Sequence, residues 1–316
     1  MPRPTSSTTV VRPDLADALF QHVELPFIGT RIFPIFDTVQ KSGGYPVIPT
    51  EALLKMPANL KRAPRAKYAR GDWEFERGTY ACEEYGFEEP VDDSEANAYA
   101  HYFDAEMVSG EIARNTLLRA QEKRILDILQ DTGTFTPTAI THEWDDGENA
   151  TPIDDVNARK LAIYQATGVK ANALIIAYST FLDLGVCDQI VDRIKYTNPS
   201  VQRGEIPANL LAQAFGLEEV IVADQVYDSE AEGQDTTIST LWSNEYAMVC
   251  RVARGPNLRQ PCIGRTFLWT ADSPENATVE SYREDPSRSD IIRVRQHTDE
   301  VTVMTACANL LSNITT

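Results

Sequence analysis

The longest uninterrupted helical pattern in the chain is residues 103–131, FDAEMVSGEIARNTLLRAQEKRILDILQD, which contains no proline. Met107, Leu118, Ile125 and Leu129 recur on one stripe at helical spacing, with Leu117 and Ile128 at its edge. Val108, Ile112 and Leu126 fall well off that stripe. A helix lying on a globular surface needs one apolar face. A second apolar face implies contact on both sides, within the subunit or between subunits. The spacing predicts a rod of about 43 Å at about 1.5 Å per residue. It should be weakest at Gly110, where glycine costs about 1 kcal/mol against alanine, and should stop at Thr132-Gly133. The plainer alternative is the long core helix of an α+β domain.

Ahead of this helix the pattern is irregular. Residues 1–13 are rich in Pro, Ser and Thr and read as an extended arm. DLADALFQHVE (14–24) predicts a short amphipathic helix capped by Asp14 after Pro13. Pro26, Pro34, Pro46 and Pro49 then punctuate an extended path whose apolar residues (Phe27, Ile28, Ile32, Phe33, Ile35, Phe36) need a partner surface. Over 45–95 charge segregates. Lys55, Lys61, Arg62, Arg65, Lys67 and Arg70 fall in a segment without acids, and Glu83, Glu84, Glu88, Glu89, Asp92, Asp93 and Glu95 in one without bases. Between them DWEFERGTYACEEYGF (72–87) is strand-like around Gly78. A two-stranded ribbon is expected here, and a ribbon alone is marginal in water. Either the basic segment docks on an acidic patch of a neighbouring subunit, or these are two solvated faces that never meet.

Beyond the long helix, 134–150 is a polar linker. Helix 153–167, with Val156, Leu161, Ile163 and Tyr164 apolar, closes at Gly168. NALIIAYS (172–179) is a continuous apolar run of strand length. Thr180 is placed to cap a helix over 181–196, ended by Asn198-Pro199. A helix over 205–216, a strand over 218–228 and an acidic loop, SEAEGQD (229–235), follow. Strands are expected at 238–253 and 262–270, joined by RGPNLRQP, and at 277–285. The stretch 289–314 reads as a closing strand pair folded at a Thr298-Asp299 turn. There is no internal repeat.

Composition narrows the classes. The chain has 316 residues, 42% of them hydrophobic, enough for a sizeable core without staples. A net charge of −18 argues against non-specific wrapping of nucleic acid and against adhesion to an anionic membrane. The cysteines (Cys82, Cys187, Cys250, Cys262, Cys307) are scattered and never in CxxC spacing, so reduced, buried thiols are expected. The N-terminus carries no signal-peptide pattern and no apolar run reaches a membrane span. Three Asn-X-Thr matches, at Asn149, Asn276 and Asn313, are chance matches in a chain of cytosolic origin.

No catalytic or nucleotide-binding motif is present. His22, His101, His142 and His297 show no ligand spacing. In the acid cluster HEWDDGENA, a calcium loop centred on Gly147 would put His142, Trp144 and Asp146 at its first three ligand positions and Ile153 where the bidentate Glu belongs, so it fails. Cys250 and Cys307 lie in apolar strands, where an inert thiol outweighs a nucleophile. Asp154-Asp155 opens a helix, and Asp92-Asp93 belongs to the acidic run. Trp73, Trp242 and Trp269 do not interleave with a basic stripe. No catalytic residue, cofactor or metal is expected.

The order of elements carries more. Arm, extended loop with ribbon, long helix, second helix, helix–strand–helix unit and closing strands resemble the major capsid protein of tailed bacteriophages, the Hong Kong-97-type fold. RGTYACEEYGFEEPVDD, ANALIIAYSTFLDL, ANLLAQAFGLEEVIVADQVYD, LWSNEYAMVC and SDIIRVRQHTDEVTVMTACANLLSNI are similar to that family too. The resemblance spans about residue 14 to the end.

The resemblance implies an α+β fold with an N-terminal arm (1–36) and an extended loop (37–95). It further implies a peripheral domain (96–171 and 276–316) built on the spine helix, and an axial domain (172–275) with RGPNLRQP and SEAEGQD as tip or surface loops. It implies self-assembly through hexamers and pentamers into an icosahedral capsid enclosing double-stranded DNA without sequence-specific binding, formed in the host cytoplasm. A separate scaffolding protein, a portal and decoration proteins are the implied partners, with no membrane. Inter-subunit contacts are expected from Lys55, Lys61, Arg62, Arg65, Lys67 and Arg70 against Glu83, Glu84, Glu88 and Glu89. Nothing selects a cross-linking lysine among Lys41, Lys55, Lys61 and Lys67. The alternatives are an encapsulin-type nanocompartment shell and a cytosolic α+β enzyme with a cysteine nucleophile.

Overall fold

The computed structural model describes residues 25–315 except 57–59, 63, 66, 69, 72–73, 100–103, 196–202, 205 and 232. The expected arm 1–13 and helix 14–24, with His22, Trp73, His101 and Asn198-Pro199, lie outside the described residues. The described chain opens with a single helical turn, α1 (Gly29–Ile32), and strand β1 (Ile35–Thr38). A ribbon of β2 (Ser42–Val47) and β3 (Glu76–Ala81) follows, its strands bridged by a long loop that carries α2 (Thr50–Leu54). Then come β4 (Glu83–Asp92), α3 (Asp93–Tyr99) and the long helix α4 (Ala105–Leu129).

Helix α4 starts where Asp104 accepts hydrogen bonds from the amides of Glu106 (3.1 Å) and Met107 (3.3 Å). It runs through Gly110 unbroken. Its buried face differs from the expected stripe: Ala113, Leu117, Gln121, Glu122, Ile125, Leu126 and Leu129 are buried, whereas Met107 is 69% exposed. The helix is wedged between two partners. Leu126 packs with Ile28 and Phe33 at α1, while Ala113 and Leu117 pack on Val294 of the sheet described below. The stretch from Ala113 to Leu129 meets the sheet and α1, whereas Met107 and Ile112 have no core against them and stay exposed.

The second half supplies β5 (Thr138–Ala139), α5 (Pro152–Thr167), β6 (Ala173–Ala177), α6 (Tyr178–Val186), α7 (Asp188–Lys195) and α8 (Ala208–Phe215). Strand β7 (Glu219–Ala223), a small ribbon of β8 (Val226–Asp228) and β9 (Ile238–Thr240), and β10 (Ala247–Cys250) come next. Strands β11 (Gly264–Trp269), β12 (Thr278–Glu284), β13 (Ser289–Thr302) and β14 (Ala308–Ser312) close the chain. Helices α5 and α8 end where Gly168 (φ 71°) and Gly216 (φ 62°) take the left-handed conformation.

Further expectations change. The strand expected over 238–253 is two, β9 and β10, and that over 218–228 is β7 and β8, with β8 and β9 in a sheet of their own. The helix over 181–196 is two helices, broken at the buried Cys187, whose extended backbone turns the chain. Thr180 lies inside α6, with its hydroxyl buried and unpartnered, rather than capping it. The Thr298-Asp299 turn does not exist. β13 passes straight through because Thr298 is paired with β4 on one side and β11 on the other, so the ladder leaves no room to reverse.

Two five-stranded sheets result. One has the order β1-β11-β13-β12 with β4 also on β13; the other is β5-β14-β10-β6-β7. In the second, β6 is buried on both faces. Leu174 and Ile176 face the layer of α5 to α8, and Ile175 faces α1 and the end of α4. Trp144, in the linker before α5, is fully buried in the helix-layer core and donates its indole N–H to Asp155 (3.1 Å). The expected divisions at 171/172 and 275/276 cut across both sheets: β11 pairs with β13, and β14 with β10.

Candidate functional site

The ribbon leaves the body at a cluster built on Phe267, which is fully buried in β11. Tyr45 stands opposite Gly78 and Tyr80 opposite Gly43 in the β2–β3 register, so both tyrosines share one face. A Cβ at Gly78 would clash with the Tyr45 ring, and one at Gly43 would meet the Tyr80 hydroxyl at 2.9 Å. The glycines thus let each ring lie across the partner strand and reach the body. There Tyr80 stacks on Phe267 with centroids 4.5 Å apart, Tyr45 at 5.3 Å, and Phe36 meets the same ring edge-on at 5.6 Å.

Polar contacts lock the same junction. Tyr80 Oη and Thr38 Oγ1 are 2.6 Å apart. Trp269 donates its indole N–H to the Val39 carbonyl (3.0 Å), and Lys41 lies over its ring at 5.6 Å. Asp299 accepts the Ala81 amide (2.7 Å), and the Cys82 amide donates to the Lys41 carbonyl (2.8 Å). Burial lifts the Cys82 thiol to about 11.

Beyond this root the loop is under-buried. Leu53, Leu54, Leu60, Tyr68 and Phe75 are exposed, and Met56 is 88% exposed. All six bases of the segment, Lys55, Lys61, Arg62, Arg65, Lys67 and Arg70, are exposed as well, with Arg62 stacked over Tyr68 at 4.6 Å.

The acidic run has a different place. It forms β4, hydrogen-bonded along ten residues of β13. Glu88 accepts from Arg293 (2.6 Å) and from the Tyr282 hydroxyl (3.3 Å). Glu84 lies 3.5 Å from His297, and Glu83 accepts from the Tyr85 hydroxyl (3.2 Å). Asp93 binds Arg283 through both oxygens (2.6 and 2.7 Å), which holds its carboxyl below the usual range. Much of this charge is answered inside the subunit by arginines of the closing strands, a pairing that sequence spacing conceals because some 200 residues separate the partners. Glu89 has no ionic partner among the described residues.

Enzyme-like groupings are present but sealed. Ser273 Oγ, His297 Nδ1 (3.0 Å) and Asp272 (3.2 Å from the same nitrogen) sit together, yet Ser273 is fully buried and cannot meet a substrate. All five cysteines are free and buried, and burial pushes the Cys250 and Cys307 thiols up, the latter to about 11, away from nucleophilic use. Among the described residues no group of His, Cys, Asp or Glu could hold a metal, and no helix is long and apolar enough to cross a membrane.

No protein-family model matches the chain. It is 22% identical over 287 residues to a major capsid protein of Burkholderia phage BcepMu, covering 89% of each chain. Its fold is similar to a phage-related protein from Bordetella bronchiseptica (TM-score 0.68, 18% identity, 93% and 94% of the two chains covered). It is also similar to the capsid of cyanophage P-SCSP1u (0.59, 11%, 98% and 96%) and to an encapsulin of Synechococcus elongatus (0.54, 12%, 97% and 96%). The fold is the mixed α+β arrangement of Hong Kong-97-type shell proteins.

Proposed function

We infer that this chain is a major capsid protein of a tailed phage, a non-enzymatic subunit that self-assembles into an icosahedral shell. The observation that carries it is coincidence over nearly the whole chain, in sequence with a phage capsid protein and in fold with capsid structures. The physical picture agrees. A ribbon rooted at Phe267 projects a basic, apolar loop that its own subunit leaves exposed among the described residues. A shell supplies many modest contacts in closed symmetry, and those can cover it.

The finer parts belong to the same proposal. Hexamers and pentamers are the building units. The strands and helices of 172–275 surround their axes, and α4 with β4, β12 and β13 forms the peripheral part. The segment Lys55 to Arg70 docks on a neighbouring subunit. Glu84 and Glu88 are already engaged with His297 and Arg293, so Glu83 and Glu89 are the glutamates of β4 left to receive it. Double-stranded DNA is enclosed without sequence-specific contact, and scaffolding, portal and decoration proteins are separate chains.

The test is expression of the chain alone, followed by light scattering and negative-stain microscopy. Closed shells or isolated rings support the assignment. A clean monomer that remains so in the presence of the phage's own scaffolding protein overturns it. Packaged DNA against an enzyme cargo in purified particles separates phage capsid from encapsulin.

A further inference from the structure

Helices α5 and α6 each carry an apolar patch that the subunit leaves uncovered, and α7 packs between them. On α6, Tyr178, Leu182 and Val186 recur four residues apart, so they form one stripe, about half exposed. On α5, Leu161 and Tyr164, three apart, are likewise about half exposed. Leu54 of the long loop approaches the Gly168 end of the α5 patch without covering it.

The two patches have opposite rims. From Val156 to Ala171 there is no acid, but there are Arg159, Lys160 and Lys170. Lys160 is used to cap α8, donating to the Phe215 carbonyl (2.6 Å), and Arg159 reaches Thr138 (3.1 Å). Lys170 has no acidic partner among the described residues. The charged residue of α6 is Asp183; Asp188 and Asp192 follow on α7, whose last turn carries Arg193 and Lys195. Asp188 pairs with Arg203 (3.1 Å). Asp183 has no cationic partner among the described residues; partial burial, and then the charge of Asp145, push its carboxyl up. An apolar stripe edged by Asp183 and an apolar patch edged by Lys170, held apart by α7, cannot meet within one chain. They complement one another across two copies.

We propose that the α6 patch of one subunit docks on the α5 patch of the next, a head-to-tail contact that closes into a ring. Leu182 and Tyr178 pack against Leu161 and Tyr164 of the second copy, with Asp183 facing Lys170. A contact between two different patches is heterologous, and repeated about an axis it generates rings rather than isolated dimers. The interface presupposes that the chain is a shell subunit.

Single-cysteine variants of the full chain test it. Leu161→Cys and Leu182→Cys are purified reduced, mixed in equal amounts, assembled, oxidised and run on a non-reducing gel. The native thiols are all buried and do not compete. The mixture is expected to give a covalent dimer, each variant alone a monomer, and the double variant a ladder ending at the ring size. Separately, Asp183→Lys and Lys170→Glu are each expected to lower ring yield about tenfold, the effect of roughly 1.4 kcal/mol, and their combination to restore it. Particles without a cross-link in the mixture, or dimers from Leu182→Cys alone, overturn the interface while the shell assignment stands. A wild-type chain that forms neither rings nor particles even with the phage's own scaffolding protein present overturns both.

Discussion

Tyr80 lies flat on Phe267, with ring centroids 4.5 Å apart and planes within 3° of parallel. The pair joins a residue of the projecting ribbon to strand β11 of the body, so a packed aromatic contact holds the base of the loop. Truncating Phe267 to Ala removes the platform for Tyr45, Tyr80 and Phe36 together. The expected loss is about 3–5 kcal/mol, read as a lower urea midpoint. Tyr80→Phe keeps the stack and loses only the hydroxyl contact to Thr38, for about 1 kcal/mol.

Gly78→Val places a side chain where the Tyr45 ring now lies. The ring must leave, and the ribbon is expected to detach from the body at a cost of about 1–3 kcal/mol. Hydrogen exchange should quicken in 42–47 and 76–81 while α4 and β13 stay protected. Unchanged protection in the ribbon would show that Tyr45 has another place to go.

Glu122 is a buried carboxylate on α4 that accepts the Ile28 amide (2.8 Å), the Gly29 amide (3.3 Å) and the Trp242 indole N–H (2.9 Å). Burial outweighs these bonds and raises its pKa in the folded state. The folded chain therefore holds this proton more tightly than the unfolded chain. The sign follows: the native state is relatively favoured below the ordinary glutamate pKa, and that advantage is lost as pH rises through the raised value. Glu122→Gln does not ionise. The wild type is expected to lose stability relative to Glu122→Gln as pH rises from that of a free glutamate, in urea titrations at stepped pH. A constant difference between the two would contradict this.

Reversing Arg62 and Arg65 to Glu changes only exposed residues of the loop. Circular dichroism and the urea midpoint should be those of the wild type, while particle yield falls. Undiminished yield would remove the electrostatic part of the docking proposal and leave the fold untouched.

Glu88→Gln is the contrasting variant. Its partner Arg293 is in the same chain and the pair is solvent-screened, so the urea midpoint should hardly move. Particle yield should be nearly unchanged. A collapse of assembly in this variant would return Glu88 to the subunit interface.

Local pattern was enough for much of this molecule. The capped run from Asp104 makes α4 a helix whatever it packs on, the apolar run at Ala173–Ala177 makes β6 a buried strand, and Gly168 stops α5 by backbone freedom alone. These outcomes depend on neighbours within a few residues, which a linear sequence displays. Tertiary structure decided the rest, because each remaining outcome depends on a partner distant in the chain. Leu126 is buried and Met107 exposed because α1 and β13 meet only part of α4. The Thr298-Asp299 turn is cancelled by ladders to β4 and β11. Glu88 and Asp93 look like a solvated acidic run until Arg293 and Arg283 arrive across the sheet. Phe267 becomes the foot of the ribbon only when β3 and β11 are brought face to face. Period and capping are written in consecutive residues, whereas burial and charge pairing are properties of surfaces that exist only after the chain has folded.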